Sequence, residues 1–150
     1  RHRADFKLEE LVEFLRAASS SEEEFDQSMA RMHEALDKAA AKVRSKSKAE
    51  ISLVGQVDAL IDTLYFTYGS FVLMGVDPER IFDIVHQANM GKIFPDGKAH
   101  FDPVTHKILK PDDWEEKYAP EPAIERELER QIQAYQRNVE KAQKETKDEE

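Results

Sequence analysis

The chain has 150 residues, 40% hydrophobic and 35% charged, a balance that fits one domain with a real core and excludes a membrane protein or a wholly disordered chain. A formal net charge of −9 argues against general binding to nucleic-acid backbones, which attract lysine and arginine. The absence of cysteine rules out disulfides, thiolate metal sites and cysteine nucleophiles, and residues 1–7 lack the apolar core of a secretory leader, so a cytoplasmic setting is expected.

The elements follow in chain order. Leu8, Leu11, Val12 and Leu15 mark one face of a helix over residues 7–18, which Ser19, Ser20 and Ser21 break. Ser21 and Glu24 form a capping-box pair that opens a longer second helix, whose apolar period runs Phe25, Met29, Met32, Leu36, Val43. The polar, basic residues 44–48 end it. Residues 49–74 form the greasiest helix, with apolar side chains on nearly every side, a pattern that belongs in the middle of an assembly. Gly75 supplies a left-handed C-terminal cap, and Asp77-Pro78 supply the N-cap and first residue of a fourth helix that ends near Met90.

From residue 91 to 111 the helical period is lost. Pro95-Asp96-Gly97, Asp102-Pro103 and Lys110-Pro111 are turn signals, consistent with a short hairpin, and Trp114 is expected to dock this segment on the helices. A last helix over residues 123–143 carries Leu128, Ile132, Tyr135 and Val139 as a narrow seam suited to a partner helix, an oligomerisation arm. Residues 144–150 read as a frayed, charged tail. The expected architecture is therefore all-α: one domain over residues 1–143, four to five helices in a bundle, with an irregular or hairpin segment near 91–111.

Asp58 and Asp62 stand out because they are one turn apart on the same face of that greasy helix. A carboxylate among apolar groups costs several kcal/mol unless a cation meets it, on the order of what a buried unpaired charge loses. Between Ile51 and Glu79 there is no lysine or arginine, so either the cation comes from elsewhere in the fold or is a metal ion, or the pair is solvated on a partly exposed face. Glu34 and Asp37, neighbours on the second helix and away from its apolar stripe, supply two more oxygen donors. Four such donors suit a hard cation, Mg²⁺ with Mn²⁺ as the alternative, which shares its ligands among carboxylates, waters and phosphates.

At this point the chain resembles a known family. The run from Asp58-Ala59-Leu60-Ile61-Asp62 to Tyr68-Gly69, then Met74-Gly75-Val76-Asp77-Pro78, then His86-Gln87-Ala88-Asn89-Met90-Gly91-Lys92, is similar to the all-α nucleoside triphosphate pyrophosphohydrolases of the MazG and phosphoribosyl-ATP pyrophosphohydrolase-like superfamily, in its "Cof-like" subset. Pro95-Asp96-Gly97-Lys98 and the segment through Trp114 match as well, so the resemblance spans residues 32–114. It implies a homodimer or homotetramer holding Mg²⁺ between two acidic pairs, Glu34-x-x-Asp37 and Asp58 with Asp62. It implies Glu34 and Asp62 as catalytic carboxylates and Asn89 and Lys92 as contacts to a nucleoside triphosphate; Lys98, just after the fourth helix, is either a further contact to the phosphates or a plain loop lysine. Two positions depart from the pattern: Asp37 replaces a longer Glu, and Ala59 stands where the second Glu is expected, leaving Asp58 to substitute. Those departures keep open a helical oligomer with a decayed site, binding nucleotide or protein without catalysis. The seam of the last helix suggests a third reading, a coiled-coil-like interaction protein, against which the helix punctuation at Gly75 and Pro78 argues.

Overall fold

The structure, a computed structural model, describes residues 2–46 and 51–148. Six helices are present among them: α1 His2–Ala17, α2 Glu22–Lys46, α3 Leu53–Met74, α4 Glu79–Met90, α5 Trp114–Tyr118 and α6 Glu121–Asp148. Residues 47 and 48, part of the expected end of α2, and residues 49 and 50, the expected start of α3, lie outside the described residues. The all-α class expected from periodicity holds. Two compact units divide the chain, Arg1–Leu53 and Val54–Glu150.

The first unit is a pair of packed helices, α1 and α2. Its turn is built from the serines the sequence marks. The Ser21 hydroxyl accepts the Glu24 N–H at 3.2 Å, and the Glu24 carboxylate reaches back to the N–H and hydroxyl of Ser20, both at 2.7 Å. The reciprocal bond is thus displaced one residue from the expected capping box, and the hydrogen bonds to Ser20 hold the Glu24 carboxyl below its usual range. Arg16 pairs with Glu22 and lies over the Phe25 ring at 5.3 Å, tying the two ends of the turn. Helix α1 begins earlier than the apolar stripe suggests, because no breaker stands between His2 and Lys7.

In the second unit, the corner between α3 and α4 follows the punctuation closely. Gly75 adopts a left-handed φ of 68°. Its N–H donates to the Val72 carbonyl at 3.1 Å and the Val76 N–H to the Phe71 carbonyl at 3.0 Å, both bonds of a Schellman cap. Asp77 then caps α4, its Oδ1 accepting the Glu79 N–H at 3.1 Å, while the Pro78 carbonyl takes the Phe82 N–H at 2.7 Å. A feature the sequence did not disclose locks this corner to α6. The Gln131 amide accepts from the Asp77 N–H and donates to the Asp77 carbonyl, each at 2.9 Å, and donates also to Glu127 at 3.0 Å. Arg130 completes the cluster with two bonds to the same carboxylate, at 2.6 and 2.8 Å.

Glu127 is buried, and its hydrogen bonds, first from Arg130 and then from Gln131, lower its carboxyl from 4.5 to about 2. Because the folded value lies below the ordinary one, its contribution to stability is complete above pH 4.5 and lost as pH falls through about 2. Glu127→Gln is therefore expected to melt below the wild type at pH 6, with the gap closing by pH 2. Thermal melts followed by circular dichroism check it, and a gap that persists undiminished at pH 2 refutes the role of the charge.

Between α4 and α5 the chain makes two tight reversals. Phe94, Pro95, Asp96 and Gly97 form the first: the Gly97 N–H donates to the Phe94 carbonyl at 2.8 Å, Gly97 takes a φ of 75°, and Ile93 pairs antiparallel with Ala99. The second is organised by Asp102, whose Oδ1 accepts the N–H groups of Val104 and Thr105 and the Thr105 hydroxyl, with Phe101 pairing antiparallel with Ile108. Trp114 docks as expected. It is buried, and its indole N–H donates to the Ala88 carbonyl on α4 at 2.8 Å. The short α5 it opens was not anticipated from the sequence. Tyr118 at the end of α5 lies so close to Gly91 that a Cβ there would sit 2.4 Å from the ring, so only glycine permits this approach.

Helix α6 packs on α4 and continues to Asp148, so the tail expected to fray from Lys144 is helical as far as Asp148, and residues 149 and 150 lie outside the described residues. The Lys141–Glu145 pair at 3.7 Å and the Thr146 hydroxyl bonded to the Ala142 carbonyl support that last stretch. Within this chain none of the residues of α3 is buried. Ile81, Ile84 and Ala88 of α4 and Ile124 and Leu128 of α6 are buried or half-buried where those two helices pack, so their apolar faces are spent on each other rather than on α3. Leu60, Leu64, Phe66 and Val72 remain exposed, at 49 to 76%.

Candidate functional site

Asn89 and Lys92 come together directly. Asn89 is on the last turn of α4, where its Nδ2 donates to the Val85 carbonyl at 3.0 Å and fixes the amide's orientation. That leaves Oδ1 turned to the Lys92 ammonium, 2.9 Å away. Gly91 ends the helix, its N–H bonded to the Gln87 carbonyl, and turns the chain so that Lys92 folds back beside Asn89. The Lys92 ammonium also lies 5.7 Å from the centre of the Trp114 ring, and Lys110 lies 3.9 Å from it. The result is an amide and an ammonium held side by side at the surface, able to meet a polar, anionic ligand.

Lys98 follows the first reversal. Asp96 accepts the Lys98 N–H at 3.0 Å, and its other oxygen meets His100 at 2.8 Å. Those bonds, that from His100 foremost, lower the Asp96 carboxyl below its usual range. His100 in turn stacks on Phe94 with ring centres 4.2 Å apart. This lock on the hairpin was not read from the sequence, although a histidine two residues after Lys98 in a turn was its visible signal. The Lys98 ammonium itself has no partner among the described residues.

The carboxylates stand as two pairs in the two units. Asp58 and Asp62 share one exposed face of α3, and neither has a hydrogen-bond or ion-pair partner among the described residues. Thr63 and Thr67 turn their hydroxyls onto the Ala59 and Thr63 carbonyls instead of toward the acids. On α2, Asp37 is exposed and Glu34 pairs with Lys38 at 2.6 Å, an exposed contact of the kind worth little and readily exchanged. Expected as a metal-facing carboxylate, Glu34 is here engaged by its own helix neighbour, one turn on. No group of three or more His, Asp or Glu side chains gathers into a metal-holding cluster among the described residues. Within each unit the donor chemistry nonetheless suits a hard divalent cation: the acids offer oxygen only, and among the described residues Asp37, Asp58 and Asp62 have no counter-charge.

No described helix is long and apolar enough to cross a membrane. Comparison with known proteins bears on the same residues. The family model of phosphoribosyl-ATP pyrophosphohydrolase matches residues 1–89. It starts before the 32–114 span carried by the motifs and stops at Asn89, so Lys92 and Lys98 lie beyond it. No curated protein matches the chain in sequence. Among solved structures, the chain is similar to a "putative NTP pyrophosphohydrolase" from Exiguobacterium sp. 255-15, at 41% identity and a TM-score of 0.78, over 89% of this chain and 80% of that one. By the span of that model and the likeness of sequence and fold, the chain belongs to the phosphoribosyl-ATP pyrophosphohydrolase family, among the hydrolases acting on phosphoric anhydrides.

Proposed function

We propose that the protein is a Mg²⁺-dependent nucleoside triphosphate pyrophosphohydrolase releasing a nucleoside monophosphate and pyrophosphate, in the manner of nucleotide-pool house-cleaning in the cytoplasm. One observation carries the reading: Asp58 and Asp62 lie on one face of a helix that offers no cation, without a partner among the described residues. Glu34, Asp37, Asp58 and Asp62 would hold the metal, with Mn²⁺ as an alternative. Bound there, it would supply charge neutralisation for the phosphates. Glu34 and Asp62 orient the attacking water and take its proton as the new bond to the α-phosphorus forms and the bond to pyrophosphate breaks. Asn89, Lys92 and Lys98 grip the triphosphate through hydrogen bonds and positive charge.

The active form is a homodimer or homotetramer, because the apolar side chains of α3 that this chain leaves exposed need a covering surface. A second reading, an oligomer with a decayed site, is favoured by Ala59 and by the engagement of Glu34 with Lys38. A panel of ordinary and altered nucleoside triphosphates with Mg²⁺ or Mn²⁺, followed by pyrophosphate release, separates the two. At least one substrate is expected to turn over only with metal. Nucleotide binding without any turnover would support the decayed site.

A further inference from the structure

Helix α4 has two faces. Ile81, Ile84 and Ala88 turn toward α6 and Trp114, whereas Phe82, Val85, His86 and Asn89, at spacings of three and four, form an adjoining stripe that ends toward Lys92. At the far end of that stripe, Phe82 is 69% exposed, an unusual place for a phenyl ring. It lies parallel to the His86 ring, with 6° between the planes and 6.4 Å between centres. At that centroid separation the pair is strongly offset, so the rings overlap at most at their edges and much of each face stays open. The stripe therefore presents uncovered, parallel aromatic surface at one end and an amide with an ammonium at the other.

From this juxtaposition we infer that Phe82 and His86 form the base-binding platform of the site, a planar nucleobase lying against their rings while its phosphates run toward Asn89 and Lys92. This deepens the function proposed above and rests on it. The charge distribution of a nucleotide matches the stripe: a neutral flat ring at one end and anionic oxygens at the other. From Phe82 to Asn89, both within α4, the helix rises about 10 Å at 1.5 Å per residue, and Lys92 folds back beside Asn89, so there is room for a ribose between the two ends. Stacking against side chains is tolerant of base identity, since every base has a π-face. Phe82 and His86 are accordingly specificity-determining for nucleotide over bare polyphosphate.

Binding, rather than turnover, tests this, so the result does not depend on catalysis. Calorimetry with Mg²⁺ compares a non-hydrolysable α,β-imido nucleoside triphosphate with inorganic tripolyphosphate, on the wild type, Phe82→Ala and Phe82→Tyr. Phe82→Ala is expected to weaken the nucleotide about tenfold or more while leaving tripolyphosphate unchanged, and Phe82→Tyr to restore nucleotide affinity. Because Phe82 is exposed and alanine favours helix, α4 is expected to stay folded, checked by circular dichroism. Equal weakening of both ligands, or of neither, overturns the platform. So does a Phe82→Ala protein whose mass in solution drops with nucleotide affinity intact, since Phe82 would then pack between copies. A wild type that binds no nucleotide overturns it outright, whereas nucleotide bound through Phe82 but never hydrolysed sinks only the catalytic reading.

Discussion

Asp62→Asn is expected to lower pyrophosphate release by about a hundredfold or more, the scale on which removing one preorganised charged group acts on a polar transition state. The substitution keeps the side chain's size and removes only its charge. In the folded chain Asp62 is exposed and has no partner, so its loss breaks no contact among the described residues. Stability should stay within about half a kcal/mol of the wild type, as for surface changes away from special features. A drop in rate with an unchanged melting temperature therefore isolates a functional role. Metal affinity measured by calorimetry should fall in parallel, and Asp58→Asn should show a smaller loss, because Asp58 is one residue displaced from the family pattern. Turnover within a factor of about three of the wild type for Asp62→Asn would remove this residue from the site.

A charge placed on the other side of the same helix should act on assembly. Leu53, Val57, Leu60, Leu64 and Phe71 follow helical spacing opposite Asp58 and Asp62, and all but the half-buried Phe71 are exposed in the chain. Leu64, 55% exposed here, sits within that stripe. If a second copy covers it, Leu64→Asp buries an unpaired carboxylate at a cost of several kcal/mol, enough to dissociate a typical complex at micromolar concentration. The wild type is expected to run at two or four chain masses in light scattering after size exclusion, and the variant at one, or to lose its cooperative melt. A wild type that is monomeric at all concentrations, or a variant that keeps its mass and stability, would show that α3 does not carry the interface.

What the sequence disclosed is what local chemistry decides. Ser21 with Glu24, Gly75 in its left-handed cap, Asp77 before Pro78 and the Pro95-Asp96-Gly97 turn each act on residues within one turn of themselves, so their neighbours in sequence are also their partners in space. Trp114 could be placed because a lone large aromatic in a turn-rich stretch has to find cover. The tie from Gln131 to Asp77 escaped because nothing local to either residue signals a bond across that sequence distance. Tyr118 against Gly91 escaped for the same reason, since a helix-ending glycine looks identical whether or not a ring covers it. For the site, spacing put Asp58 one turn from Asp62, whereas Glu34 and Asp37 entered mostly through the family resemblance, and the Asn89–Lys92 contact follows from a helix end. The Glu34–Lys38 pair was also legible, since a lysine stands one turn after the acid.

The chain contains one tryptophan, and it is Trp114. Its indole is shielded from solvent, hydrogen-bonded to Ala88, and flanked by the ammonium groups of Lys92 and Lys110. Every photon of tryptophan emission from this protein thus originates from a single address, where α5 is seated on α4, with no second indole to dilute it. Any anion that draws Lys92 away from the ring alters the field at the emitter itself. The native protein is its own optical probe of that corner, and no label need be introduced to watch it.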